Sequence, residues 1–364
     1  MKALLLTGFP GFLGSALLPR LLARREGARA LCLVQPQHLE TAAVRVRDIE
    51  ADHPHTRDRI ALVEGDITRP DLGTDPAARD RLDEVSEVWH LAAVYDLTVP
   101  EILARRVNVD VTARILQFCR SRPRFDRLQY VSTCYVSGRY EGDFTEDALD
   151  EGQTFRNHYE STKFDAEMLV RKAMASGLPA TIYRPGIVVG DSRTGETQKY
   201  DGPYFLATFL RRQPLPVAVV PAVGDADRVR VCLVPRDFVI EAMDELSVLD
   251  ESVGRTFALT DPEPPTVREL VDIFARHLRK RVVWVPLPLG VTRAAVGSVP
   301  GLERLLGLPA EGLDYFASPT TYSTANTSAA LAGTGVACPP FESYADRLLD
   351  FMADHPEFDS SAMV

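Results

Sequence analysis

Along its first half the chain alternates short apolar runs with longer stretches in which apolar residues recur every three or four positions. The runs 3–6, 30–34, 60–63, 85–91, 128–132 and 180–183 read as strands, and 17–25, 39–49, 102–119 and 159–174 as the helices between them. Strands alternating with helices of about ten residues or more imply right-handed βαβ units and parallel pairing. The predicted class is α/β, a doubly wound parallel sheet.

Past Gly190 the rhythm breaks. The polar stretch DSRTGETQKYDGPY leads to a helical pattern at 205–212, then to extended sequence interrupted by Pro214, Pro216 and Pro221. A helical pattern at 237–245 and a strand-like run at 255–259 look like a return to the sheet. From Thr266 amphipathic helices mix with proline-rich corners, expected to cap a ligand cleft, and Ser360 to Val364 are expected to fray. No repeat or low-complexity segment is visible.

Charge and cysteine usage narrow the function classes. The 41 basic against 51 acidic residues leave a net charge of −10, which disfavours a nucleic-acid groove, because a phosphate backbone needs clustered positive charge. A small-molecule ligand is expected instead, with Arg24-Arg25, Arg105-Arg106 and Arg211-Arg212 as solvated helix faces. The five cysteines, Cys32, Cys119, Cys134, Cys232 and Cys338, are scattered and form no C-x-x-C pair, as expected for packed thiols in a reducing cytoplasm and for no metal site. In MKALLLTGFPGFLGSALL the apolar run is cut by Thr7-Gly8 and Pro10-Gly11, short of the about 7 to 15 residues of a signal peptide core. No window approaches the roughly 20 apolar residues of a membrane span, so a cytoplasmic protein is expected.

Two clusters carry candidate chemistry. Directly behind the first strand, TGFPGFLG spaces Gly8, Gly11 and Gly14 as G-x-x-G-x-x-G and runs straight into a helical pattern. A strand, a glycine turn and a helix N-terminus aim backbone N–H groups and a positive dipole end at a diphosphate, although the pattern alone also describes a plain turn. Farther on, Tyr159-Glu160-Ser161-Thr162-Lys163 sets a phenol and an ammonium four residues apart, on one helix face. A phenol with an ordinary pKa near 10 needs such a cation before it can trade protons near neutrality. Val131-Ser132-Thr133 closes strand five, at the sheet edge where ligand-contacting residues of open α/β folds gather, and a hydroxyl there can hold a carbonyl oxygen. Read alone, Tyr159 and Lys163 describe a surface pair, Thr133 is strand material with Ser132 its near-equal rival, and His90 is a packing residue.

Together, TGFPGFLG, Gly65-Asp66, His90-Leu91-Ala92-Ala93, Asn108, YVSTCYVSG and YESTK resemble an extended short-chain dehydrogenase/reductase, in consistent order over residues 1–190. Tyr183-Arg184-Pro185-Gly186 and TFALTDPEPPTVRELVDIFARHL are similar to that family's substrate half. GDITRPDLG and VSTCYVSG look like its thioester reductase and fatty acyl-CoA reductase branch, a similarity continued by Asp191, Ser192, Thr194 and Gly195. The resemblance implies a Rossmann dinucleotide-binding domain over 1–190 and a smaller substrate-binding part over 191–364, with 236–260 returning to the sheet. It makes Thr133, Tyr159, Lys163 and Asn108 the catalytic set, Asn108 holding the Lys163 end of a proton relay through water. Thr133 is preferred to Ser132 because the family's hydroxyl lies three residues before the valine of an ending like Val136-Ser137-Gly138.

The resemblance places cofactor contacts at Thr7, Gly8, Phe9, Pro10, Gly11, Phe12, Leu13 and Gly14, at Gln35, and at Asp66, whose side chain meets the adenine, with Ile67. Leu91, Ala92, Ala93, Tyr159, Lys163, Arg184, Pro185, Gly186 and Ile187 complete the set, Arg184 being open between anchoring a ligand and pairing with a carboxylate. Strand two ends in Val34-Gln35-Pro36-Gln37-His38, with neither the acid that grips the ribose of NAD nor the arginine that favours NADP. Gln35 stands where related thioester reductases often carry arginine. With no acid to repel a 2′-phosphate, and Arg45 or Arg47 to reach it, the reading leans to NADP, with NAD open.

The implied reaction is hydride transfer to a carbonyl or thioester carbon, giving an aldehyde or alcohol, with Tyr159 protonating the oxygen that Thr133 holds. Dehydration is disfavoured, since Cys134-Tyr135 stands where the dehydratase branch carries Asp-Glu. Phe9-Pro10 departs from the Ala-Thr of many reductases of this branch, and no carrier or adenylation segment is recognised. The expected substrate is therefore acyl-CoA, an acyl group on a separate acyl carrier protein, or a free carbonyl compound, acted on by a monomer or homodimer. Kept open are a sugar-nucleotide epimerase, a sterol-type dehydrogenase, and a non-catalytic redox sensor, which typically lacks the tyrosine or lysine present here.

Overall fold

The computed structural model describes residues 2–94, 99–222, 224–286 and 319–358. In chain order its strands are β1 (Ala3–Thr7), β2 (Arg29–Val34), β3 (Ile60–Glu64), β4 (Val85–His90), β5 (Arg127–Val131), β6 (Gly142–Phe144), β7 (Ala180–Pro185), β8 (Ile187–Val189), β9 (Val217–Ala222), β10 (Leu233–Pro235), β11 (Thr256–Leu259), β12 (Arg281–Pro286) and β13 (Thr320–Tyr322). Seven form one sheet in the order β3-β2-β1-β4-β5-β7-β11, all pairs parallel. The order reverses between β1 and β4, the switch point at which open α/β sheets bind ligands.

The unbroken apolar runs are explained by burial on both faces. Leu4 and Leu6 of β1 pack with Leu17, Leu18, Trp89 and Phe257 on one side, while Ala3 and Leu5 pack with Val88, Ile115, Leu128 and Ile182 on the other. Among the described residues the helices are α1 (Phe12–Arg24), α2 (Leu39–Asp52), α3 (Arg79–Asp83), α4 (Glu101–Ala104), α5 (Val111–Ser121), α6 (His158–Ala175), α7 (Pro203–Arg212), α8 (Arg236–Ser247), α9 (Val267–His277), α10 (Ala325–Leu331) and α11 (Ala345–Asp354). α8 lies beside α1, tied by Arg24 to Asp244 at 3.0 Å, and β11 then joins the edge of the sheet.

Several elements depart from the pattern read in the sequence. α1 begins at Phe12 rather than at 17, because the glycine turn delivers the chain directly into helical bonding, Ser15 N–H donating to Gly11 at 2.9 Å. The helix expected over 102–119 is three pieces, α4 and α5 separated by a π-helical stretch Arg105–Asp110. Short parallel pairs β6·β13, β8·β10 and β9·β12 were not expected. Pro221 fits β9 because, among the described residues, that strand pairs on one edge alone, with β12.

Beyond the main sheet, Tyr204, Phe209, Leu210, Val220, Val231, Phe274, Phe341 and Leu348 build a separate apolar core. The buried Glu146 carboxylate ties the segment after β6 to β11 and to helix Ala325–Leu331. It accepts from Ala258 N at 2.9 Å, Thr327 N at 3.0 Å and Thr327 Oγ1 at 2.7 Å. The fraying expected of Ser360 to Val364, and the stretch 287–318 of the expected cap, lie outside the described residues. Among the described residues no helix is long and apolar enough to cross a membrane, and no group of three His, Cys, Asp or Glu is placed to hold a metal.

Candidate active site

The glycine turn is a close-packed backbone knot. Gly8 has φ +88°, and a Cβ there would meet Ala92 N at 2.9 Å. A Cβ on Gly11 or Gly14 would meet the Gly8 carbonyl oxygen at 2.8 or 2.7 Å. Gly11 N–H donates to that oxygen at 3.0 Å, and Ser15 Oγ to the Pro10 carbonyl at 2.8 Å. Among the described residues no side chain caps the N-terminus of α1, so its first N–H groups are left able to cradle an anion. Phe9 is buried in the core and offers the cradle only backbone, while Phe12 lies under the Arg236 guanidinium, 4.8 Å away. Leu13 packs against the same core as Phe9.

Around the cradle stand the other sheet ends. Leu91 N–H donates to Thr7 O at 3.3 Å, which fixes Leu91, Ala92 and Ala93 against Gly8. Pro185 ends β7; a Cβ on Gly186 would meet Cys232 O at 2.4 Å, so the bend into Ile187 and β8 needs glycine. Gln35 Nε2 reaches Asp66 Oδ1 at 3.4 Å, and Asp66 also accepts from Thr68 N at 2.8 Å and Thr68 Oγ1 at 2.7 Å. Partial burial works against ionisation of Asp66, but the Thr68 and Gln35 hydrogen bonds and Arg69 outweigh it and hold the carboxyl low. Ile67 beside it packs on the core.

Lys163 is buried at 4 % exposure beneath the end of β5. Its Nζ donates to Val131 O at 2.8 Å and to the Tyr130 hydroxyl at 3.4 Å, and lies 4.9 Å from the Tyr130 ring. Burial pulls the ammonium down to about 8, with Glu167 opposing the fall. Tyr159, half-buried, starts the same helix one turn earlier, near enough to Tyr130 to oppose its ionisation. Thr133, buried and extended, donates to Pro185 O at 3.4 Å and accepts from Tyr135 N at 3.3 Å. Its neighbour Ser132 donates to Glu167 at 2.6 Å.

Asn108 sits in the π-helical stretch, a backbone form frequent at functional sites. Its amide grips Val94, accepting from N at 3.0 Å and donating to O at 3.1 Å, and donates to Thr162 Oγ1 at 3.0 Å, next to Lys163. Its backbone carbonyl accepts from Thr112 Oγ1 at 2.7 Å. Thr112 therefore accepts from His90 Nε2 at 3.4 Å, which assigns the ring proton to Nε2 and leaves Nδ1 to accept from Thr7 Oγ1 at 2.8 Å. A buried chain of hydrogen bonds thus joins the cradle to Asn108 through a neutral His90, which burial and the Lys163 charge hold at about 3.

Arg184, left open by the sequence, is buried, donating to Glu167 through Nε at 3.1 Å and Nη2 at 2.6 Å and to the carbonyl of Ala148 at 2.7 Å. Its guanidinium thus holds a carboxylate and a loop. Glu167 and Glu146 were missed in the sequence. A signal for Glu167 was present, since Tyr159, Lys163, Glu167 and Arg171 repeat every four residues along α6.

The family model described as Male sterility protein matches residues 6–243. Among curated relatives, a component of the linear gramicidin synthase of Brevibacillus parabrevis is 29% identical over 281 residues, 74% of this chain and 5% of that protein. Glycine betaine reductase ATRR of Emericella nidulans is 29% identical over 286 residues, 74% of this chain and 22% of that one. The chain therefore spans less than a quarter of either relative. The terminal R domain from the myxalamid PKS-NRPS biosynthetic pathway superposes with a TM-score of 0.79 at 30% identity, covering 98% of this chain and 91% of that one. UDP-glucuronic acid 4-epimerase from Bacillus cereus, solved with NAD, shares the fold, with a TM-score of 0.67 at 18% identity over 98% of this chain and 99% of that one.

Proposed function

The chain belongs to the Male sterility protein family, and on that premise we propose that it is an NAD(P)-dependent oxidoreductase of the extended short-chain type that reduces an acyl thioester to an aldehyde with Tyr159 as general acid. The observation carrying this reading is the buried Lys163 ammonium, held by the last carbonyl of β5 one helical turn from the phenol. We read 1–190 as the dinucleotide-binding domain and 191–364 as the substrate part, with 236–260 returned to the sheet.

The residues fit a dinucleotide: the glycine knot has no room for side chains and leaves helix N–H groups uncapped. Thr7 to Gly14 would hold the diphosphate, Gln35, Asp66 and Ile67 the adenosine, and Leu91, Ala92, Ala93, Pro185, Gly186 and Ile187 the nicotinamide side. The absence of an acid at Gln35 supports NADP. When bound, the nicotinamide supplies hydride.

Thr133 donates a hydrogen bond to the substrate carbonyl oxygen and Tyr159 delivers a proton to it, while the Lys163 charge stabilises the phenolate left behind. Asn108, fixed by Val94 and Thr162, orders the helix beside Lys163. The product is a hemithioacetal. Its C–S bond then breaks, the sulfur takes up a proton, and the aldehyde is released. Similarity to the terminal R domain of a PKS-NRPS pathway favours a thioester, offered as acyl-CoA or on an acyl carrier protein, over a free ketone. The test is loss of reduced-nicotinamide absorbance with NADPH and NADH against acyl-CoAs, acyl-pantetheine thioesters, aldehydes and ketones. Thioester-dependent oxidation with aldehyde release is expected; turnover of ketones alone would overturn the reading.

A further inference from the structure

Glu167 lies one helical turn past Lys163 and has no solvent exposure. Its carboxylate accepts from Ser132 Oγ at 2.6 Å, from Arg184 Nη2 and Nε at 2.6 and 3.1 Å, and from Arg171 Nε at 3.0 Å. Burial favours the neutral acid, but the two guanidiniums and the Ser132 hydroxyl hold it below the usual carboxylate range. A full negative charge therefore stands inside the protein beside the catalytic helix face. Removing it would leave the Arg184 charge uncompensated near the Lys163 ammonium.

Among the described residues, the titratable groups that act on or contact Lys163 are Tyr130 of β5, His90 of β4 and Glu167 of α6, while Tyr159, one turn earlier on α6, acts on Tyr130. Burial keeps Tyr130 and His90 neutral around pH 7. Facing Glu167 are Arg184 of β7, Arg171 of α6, Ser132 and Tyr130 at the end of β5, and the buried Cys134 thiol. In that setting Glu167 supplies the negative charge the ammonium needs. Its bond to Ser132 commits one of the two adjacent hydroxyls to the interior.

We propose that Glu167 is a positioning residue of the reductase site: its carboxylate keeps Lys163 in the ammonium form and anchors Ser132, leaving the Thr133 hydroxyl for substrate. The last clause rests on the thioester reductase reading; the effect on Lys163 does not.

The test uses the whole chain without nucleotide, with isotope-labelled lysine followed by NMR against pH and the Lys163 signal assigned by its loss in Lys163→Met. Glu167→Gln is expected to move the Lys163 titration down by about one pH unit, the order expected when a neighbouring buried charge is removed. The alkaline limb of kcat should move with it, while KM for nucleotide stays within about twofold, the result of a change confined to the proton-donor machinery. An unchanged Lys163 titration would overturn the proposal. Should Glu167→Gln fail to fold, Glu167→Asp keeps the charge but shortens its reach. It should leave the Lys163 titration in place and lower kcat several-fold, and an unchanged kcat would overturn the Ser132 arm. If no thioester is turned over even by the unaltered chain, the functional reading fails while the NMR shift still decides the role of Glu167.

Discussion

Ser132 donates to the Glu167 carboxylate at 2.6 Å, whereas Thr133, the next residue, donates to the Pro185 carbonyl at 3.4 Å. A short bond to an ionised carboxylate is about twice as strong as a neutral one, and a bond near 3.4 Å is weak. The two hydroxyls at the end of β5 are therefore unequal. Ser132 is committed to the interior, and Thr133 can exchange its partner for a substrate oxygen at little cost.

Thr133→Val removes that donor while keeping the shape of the side chain. Turnover should fall by about 10²–10³, the usual loss for one oxyanion donor, with nucleotide affinity unchanged. Thr133→Ser should retain most activity. Steady-state kinetics with a fixed thioester checks both, and equal activity of the valine variant would remove Thr133 from the mechanism.

Tyr159→Phe deletes one oxygen from a half-buried ring. Folding and nucleotide binding should be preserved, as read by thermal melting and fluorescence titration. Turnover should drop by about 10²–10⁴, the contribution of a placed proton donor. Near-full activity in this variant would mean that another group protonates the oxygen.

The sheet and the glycine knot were legible because each is written locally: apolar runs of strand length, and glycines at a spacing only a tight turn uses. Helix periodicity put Tyr159 and Lys163 on one face, but their reading as a proton-transfer pair rested on the family resemblance, since alone they describe a surface pair. The π-helical stretch was not, since Arg105–Asp110 reads like any amphipathic segment and its departure depends on Asn108 finding Val94 and Thr162. Glu146 was invisible for a similar reason. Its partners Ala258 and Thr327 lie more than a hundred residues away, and only the folded chain brings them to one carboxylate. The ambiguity of Arg184 was resolved by burial, which leaves its guanidinium facing Glu167.

Gly14→Ala would drive a methyl group to 2.7 Å from the Gly8 carbonyl oxygen. The clash lies with backbone, so the knot itself must open. Nucleotide affinity should weaken by at least about tenfold, which corresponds to roughly 1.4 kcal/mol. A variant that binds NADPH and NADH like the unaltered chain would show that the knot does not hold the diphosphate.

His90 gives the fold a distinct acid sensitivity. The folded chain keeps the ring neutral down to about 3, because burial and the nearby Lys163 charge oppose protonation, while the unfolded chain binds a proton near the ordinary 6.5. Between those values the unfolded state holds the extra proton, so stability rises with pH and is lost as pH falls below 6.5, by at most about 1.4 kcal/mol per pH unit. His90→Gln removes this dependence but also breaks the ordered bonds to Thr7 and Thr112. The variant should therefore melt below the unaltered chain at neutral pH, and its melting temperature should decline less steeply as the pH is lowered from 6.5 toward 4.5. Melting curves across that range decide the matter: parallel declines for the two proteins would mean that His90 accepts a proton in the folded state, and the hydrogen-bonded chain from the cradle to Asn108 could not have the polarity assigned to it.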